Sequence, residues 1–130
     1  MTHPLHSRWQ AVLDELRQAR PEIEAMAVLS PEGLAHASWA PPSLDLDVDR
    51  LGAMSAAMLA LADRTAQSLS RGGLKQAMVK GETGYVLITQ AGPGAVLTVL
   101  CGPEAPLGMV FHDVQFAANA IAQAAASGRA

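Results

Sequence analysis

Three strand-like runs, Leu74–Lys80, Tyr85–Gln90 and Ala95–Cys101, are separated only by Gly81-Glu82-Thr83-Gly84 and Ala91-Gly92-Pro93-Gly94. Connections that short cannot make a crossover, so the runs must fold back on one another as antiparallel strands. The last two are rich in β-branched residues and almost uncharged, which suits central strands. Lys75, Gln76 and Lys80 give the first the polar character of a sheet edge. A further hairpin precedes them. Met26-Ala27-Val28-Leu29 and Leu34-Ala35-His36-Ala37-Ser38-Trp39 flank Ser30-Pro31-Glu32-Gly33, where proline presets one turn dihedral and Gly33 is free to take a positive φ.

Helical periodicity accounts for the rest. Residues 4–20 place Leu5, Trp9, Val12, Leu13 and Leu16 on one face, with Pro4 in the first turn and Pro21 ending the helix. A last helix runs from about Gly108 to Ala126 with Val110, Val114, Ala117, Ala118, Ile121 and Ala125 on one arc. Phe116 lies off that arc, where it either fills a gap in the core or extends a recognition patch.

The middle helix, Val48 to Ser70, carries the most information about function. Asp47 is its natural N-cap, and a glycine is expected at the C′ position in Ser70-Arg71-Gly72-Gly73. Leu51, Met54, Met58, Leu59, Leu61, Ala62 and Leu69 form a bulky arc. Opposite them lie Gly52, Ala53, Ala56, Ala57 and Ala60, among only four charges, Asp49, Arg50, Asp63 and Arg64. An ordinary surface helix turns a charged back to solvent. The bulky arc is therefore expected on the sheet, and the small-residue arc against a second helix from another copy of the chain.

Half of the 130 residues are hydrophobic and the formal net charge is −3. That balance, with the basic residues scattered singly, argues against a nucleic-acid partner. The N-terminus lacks the order of a signal peptide, and no uncharged apolar run is long enough for a membrane span. Cys101 is the only cysteine, so no internal disulfide can form. A soluble cytoplasmic protein, one domain over residues 1–130 with its core at about 5–126, is the expectation.

Little in the chain points to catalysis. Gly72-Gly73-Leu74-Lys75 and Gly92-Pro93-Gly94 lack the order of a phosphate-binding loop and read as a helix stop and a turn. His3, His6, His36 and His112 do not offer a spacing that converges on one metal ion, and Cys101 at a strand end reads as a small buried hydrophobe. His112 and Asp113 are helical neighbours that point about 100° apart. No catalytic, cofactor-binding or metal-ligating residue is assigned.

Taken together, Val28-Leu29-Ser30-Pro31-Glu32-Gly33-Leu34, the Ala-rich Asp49–Ala57 segment, Gly84-Tyr85-Val86-Leu87-Ile88-Thr89, Gly94-Ala95-Val96-Leu97-Thr98-Val99-Leu100 and Leu107-Gly108-Met109-Val110 resemble the Roadblock/dynein light chain family. The likeness extends over nearly the whole chain, about residues 5–126, and the type it suggests is the family's bacterial gliding-type GTPase regulator, although such members can carry a C-terminal extension. Glu32 stands where the family's hairpin often has aspartate. The resemblance implies a homodimer with paired central helices and a sheet continued across two edge strands. It also implies a regulator or anchor of Ras-like small GTPases that has no catalytic residue of its own.

The fold expected is α/β (α+β), in the order α-β-β-α-β-β-β-α. It has a five-stranded antiparallel sheet in the order 2-1-5-4-3, the long helix on one face and the terminal helices on the other. The expected dimer and partner surface comprises Gly52, Ala53, Ala56, Ala57, Ala60 and Arg64, with Lys75, Gln76, Met78 and Lys80 on the edge strand. Ala57 would lie near a twofold axis. The alternatives are a small-ligand sensor of PAS or profilin-like type, and an adaptor subunit for a motor or kinase-like complex.

Overall fold

The computed structural model describes residues 4–127. Their order is α1 (Pro4–Ala19), β1 (Ile23–Leu29), β2 (Ala35–Trp39), α2 (Val48–Ser68), β3 (Gln76–Gly81), β4 (Gly84–Gln90), β5 (Val96–Cys101) and α3 (Leu107–Ser127). The strands form one antiparallel sheet in the order β2-β1-β5-β4-β3. As the charge pattern implied, uncharged β5 is central and lysine-bearing β3 is an edge.

The two faces of the sheet are packed differently. Met26, Val28, Leu87, Leu97, Val99 and Cys101 point toward α1 and α3, which cover them with Trp9, Leu13, Leu16, Val110, Val114 and Ile121. The Trp9 indole N–H donates to the Ile121 carbonyl at 3.0 Å, which satisfies the ring's polar atom inside the core and clamps α1 to α3. On the other face Leu59 of α2 packs with Ile88 and Val96. Ala25, Ala27 and Thr98 are fully buried there, and their small side chains allow α2 a close approach.

Local chemistry positions both ends of α2. The Asp47 carboxylate accepts from the Arg50 N–H at 3.0 Å, the predicted N-cap. The C-terminus departs from expectation, because Ser70, with φ +60°, takes the left-handed C′ position in place of a glycine. Its N–H donates to the Gln67 carbonyl at 3.1 Å and the Arg71 N–H to Ala66 at 2.7 Å, so a full Schellman closure forms before Gly72 is reached. Among the described residues no helix is long and apolar enough to cross a membrane.

Candidate partner interface

The orientation of α2 overturns the reading of its two faces. Its buried residues are Gly52, Ser55 and Leu59, with Ala56, Ala62, Asp63 and Ala66 half-buried around them. Most of the bulky arc expected on the sheet faces outward instead: Met54 is 56% exposed, Leu61 65% and Leu69 63%, whereas Leu51 and Ala62 are half-buried at its border. Only Leu59 of that arc is buried. The helix is turned by about a quarter of a revolution from the expected setting, counted at 100° per residue.

The cause is steric and polar together. Gly52 lies against the backbone of Gly33, where a Cβ would overlap the Gly33 carbonyl. One turn on, the buried Thr98 hydroxyl donates to the Ser55 hydroxyl at 3.0 Å. Asp63, read from sequence as a surface charge, accepts from the Leu74 N–H at 2.8 Å and from the Gln67 side-chain amide at 2.7 Å. These contacts tie α2 to the β1–β2 turn, to β5 and to the entry of β3.

The predicted interface residues therefore divide. Gly52 is buried within the chain and Ala56 is half-buried, so neither forms the outer surface that was expected of them. Ala53, Ala57, Ala60 and Arg64 are exposed. Ala57 sits at the centre of the outward face, flanked by Met54 and Leu61 at helical spacing i−3 and i+4, with the less exposed Met58 at the border of that face. Sequence reasoning missed these three bulky residues as surface. The signal that could have placed them is Gly52-x-x-Ser55-x-x-x-Leu59, an inward stripe with a single large side chain.

The edge strand continues this surface. Among the described residues no strand lies on the outer side of β3. Ala77 and Val79 share the α2 side of the sheet, whereas Gln76, Met78 and Lys80 share the α3 side, as their pairing with Thr89, Leu87 and Tyr85 shows. Lys75, Met78 and Lys80 are exposed, and the half-buried Gln76 donates to the Thr89 hydroxyl at 3.2 Å.

The remaining candidate groups are structural. His6 and His36 come together over Trp9, their ring centroids 4.9 Å apart; His3 lies outside the described residues. Burial first, then the Glu24 and Glu22 carboxylates, push the Cys101 thiol up to about 11, so it is protonated in the core. Asp113 is held below its ordinary range by its hydrogen bond with His112 and by Arg20, whose Nε donates to it at 2.6 Å. Among the described residues no group of three or more His, Cys, Asp or Glu side chains could hold a metal ion. A hollow of about 590 Å³ lies between the start of α1, the β4–β5 turn and the end of α3. Its lining is mostly alanine, glycine and proline, and the Arg8 guanidinium beside it already donates to the Ala124 carbonyl at 3.2 Å.

Known proteins place this architecture. The family model of the Roadblock/LC7 domain matches residues 10–101, and the chain belongs to the Roadblock/LC7 family. The uncharacterised protein MJ0310 of Methanocaldococcus jannaschii is 36% identical over 99 residues, which cover 76% of this chain and 84% of that protein. Among solved structures, a tetrameric arrangement of MglB superposes with a TM-score of 0.88 at 22% identity, covering 98% of this chain and 94% of that one. The gliding protein MglB of Thermus thermophilus gives a TM-score of 0.86 at 23% identity, covering 98% and 95%. This relative is archaeal, and the likeness to the two MglB structures is one of fold.

Proposed function

We infer that this chain, a single Roadblock-like domain, pairs with a second copy through the outer face of α2 and the β3 edge. The resulting dimer docks a Ras-like small GTPase in the cytoplasm and modulates its nucleotide turnover. The observation that carries this reading is the outward strip of Met54, Ala57, Met58 and Leu61 beside an unpaired edge strand. A helix pinned to its own sheet by Gly52 and Ser55 has no internal use for such a strip. Removing it from water is the driving force for pairing. Antiparallel pairing of two β3 strands would satisfy the open edge and continue the sheet to ten strands.

Ala53, Ala57, Ala60 and Arg64 line the helix contact in this reading, with Lys75, Gln76, Met78 and Lys80 along the strand seam. The chain contributes a surface and the GTPase contributes the phosphate chemistry. Turnover changes because docking biases the partner's switch segments between ordered and disordered states. Nothing distinguishes Arg50, Arg64 or Arg71 as an arginine finger, and none is assigned. The small-ligand alternative gains no support from the hollow between α1, the β4–β5 turn and α3, whose lining offers few converging polar groups.

Two measurements test the reading. Light scattering on the purified chain should give twice the chain mass. Phosphate release by purified Ras-like GTPases of the same genome, loaded with GTP, should change for one of them when the chain is added. A monomer with no effect on any of them overturns the proposal.

A further inference from the structure

β2 does not keep the alternation of a regular strand. Val28 of β1 pairs with Ala37 and Leu29 with Ala35, so His36 is an extra residue at that point of the ladder. Such a bulge turns a side chain out of its alternating direction, and bulges gather where a side chain has to be aimed. Here the imidazole of His36 is aimed at α1. Its ring centre lies 4.9 Å from that of His6 and 5.4 Å from that of Trp9, and His6 lies 5.9 Å from Trp9. Two half-buried histidines, far apart in sequence, are thereby held side by side on a buried indole.

Both histidines wall a hollow of about 480 Å³, with Ser7, Gln10, Ala11 and Asp14 as its other lining. No lysine or arginine is among these residues, and Glu32 is near enough to act electrostatically on His36. The setting suits a cation.

We propose that His6 and His36 together hold one zinc ion, with water in its remaining positions. Zinc binds an imidazole nitrogen at about 2.0–2.1 Å. Each nitrogen is about 1.2 Å from its ring centre, so two imidazoles on one ion at about 90–110° have centres about 4.5–5.4 Å apart. The observed 4.9 Å falls within that range. The ring planes are inclined by 36°, neither the parallel nor the perpendicular arrangement that ring stacking prefers. The terminal torsion of histidine is soft, so each ring can turn a nitrogen toward the ion. Asp14 stands two turns beyond His6, about 12 Å along the helix axis, and contributes charge without being a third ligand. Two protein ligands bind more weakly than the four of a closed structural site. His6 is in the first turn of α1 and His36 in an edge strand, so the ion would tie the start of α1 to the sheet. β2 and β3 are opposite edges, which makes this site independent of pairing through α2 and β3.

The test is calorimetric titration of zinc into the untagged full chain at about pH 7.5, where imidazole is neutral. One ion per chain is expected, with a dissociation constant in the micromolar range. His36→Phe and His6→Phe each keep a ring against Trp9. Each should weaken binding by at least about tenfold, the loss that even an indirect partner of a metal ligand causes. Zinc should also raise the thermal midpoint of the wild type and of neither variant, because an ion bound only by the folded chain stabilises it. The zinc-free scans show whether each variant folds, and either one alone decides the question. His36→Phe retains His3 and His6, so zinc bound equally well by that variant would be held by N-terminal residues and would overturn the proposal. A wild-type chain that takes up no zinc at millimolar concentration overturns it too. So does a ratio of one ion to two chains, which would place the ion between copies.

Discussion

Gly33 and Gly52 bring two stretches of backbone into direct contact. A Cβ added at Gly33 would lie 2.6 Å from the Gly52 carbonyl oxygen, and one added at Gly52 would overlap the Gly33 carbonyl itself. Gly33, at φ +96°, also closes the β1–β2 turn, its N–H donating to the Ser30 carbonyl at 2.9 Å. The contact sets the rotation of α2. Once Gly52 is pressed to the turn, Ser55 and Leu59 follow on the same face and Met54, Met58 and Leu61 are carried outward.

Gly52→Ala puts two effects in opposition. Alanine in a helix interior gains about 1 kcal/mol over glycine, whereas forcing a methyl group into a filled contact costs about 1–3 kcal/mol, and more when the neighbour is backbone. The clash should win, lowering the stability of Gly52→Ala by about 2 kcal/mol in urea unfolding. A stabilised variant would show that the two glycines do not touch in solution.

Ser70→Gly should move stability the other way. The left-handed conformation costs a non-glycine residue about 1–2 kcal/mol, and Ser70 bears that cost while its backbone completes the closure of α2. Substitution should raise the unfolding free energy by about 1 kcal/mol, since glycine adopts φ > 0 freely although it adds freedom to the unfolded chain. Equal midpoints for the two proteins would place the end of α2 elsewhere.

Strand order, the edge, the Asp47 cap and the tight turns were all legible in the sequence because their signals are local. Turn residues, strand patterning and charge act over a few positions. The rotation of α2 was not legible, because both sides of this helix are apolar and its pattern favours no single face. The decision falls to Gly33 against Gly52 and to Thr98 against Ser55, the latter pair 43 residues apart. The surface was therefore readable as an interface while its bulky members were read as core. Phe116 shows the same limit: its spacing removed it from the core arc but could not say whether a neighbour covered it.

The Ser55–Thr98 hydrogen bond should behave as a coupled pair. Ser55→Ala leaves a buried hydroxyl on Thr98 without its acceptor, at a cost of about 1–3 kcal/mol. Replacing both, as Ser55→Ala with Thr98→Val, removes the orphaned group and should recover most of that loss. A double-mutant cycle in urea reads the coupling directly. Additive losses would mean that the two hydroxyls do not interact.

Acid should weaken the fold through His36. Burial lowers this imidazole from 6.5, the neighbouring His6 lowers it further, and Glu32 opposes them in part. The unfolded chain then takes up its proton at higher pH than the folded one. The contribution is complete above the unfolded value and is lost progressively as pH falls through it toward the folded value. Unfolding midpoints at about pH 7.5 and about pH 5.5 should therefore differ less for His36→Gln than for the wild type, since that variant no longer titrates in the window. An identical acid response in both proteins would remove His36 from the account.

Ala57→Glu tests the outward face of α2 at its centre. The side chain points away from the sheet, so the substitution leaves the internal contacts of Gly52, Ser55 and Leu59 intact, and the thermal midpoint of the isolated chain should barely move. Between two apposed helices the same carboxylate would be buried without a partner, and leaving an unpaired charge in an interface costs about 3–5 kcal/mol. That penalty corresponds to a rise in dissociation constant of between about 10²-fold and about 4 × 10³-fold. Light scattering should show α2-mediated pairing lost at concentrations where the wild type is fully paired. Leu61→Glu, one turn further along the same strip, should have the same effect. Gln18→Glu, at an exposed position of α1 across the sheet from α2, should leave this pairing unchanged. If the Ala57 and Leu61 variants paired as tightly as the wild type, this strip would not be where two copies meet.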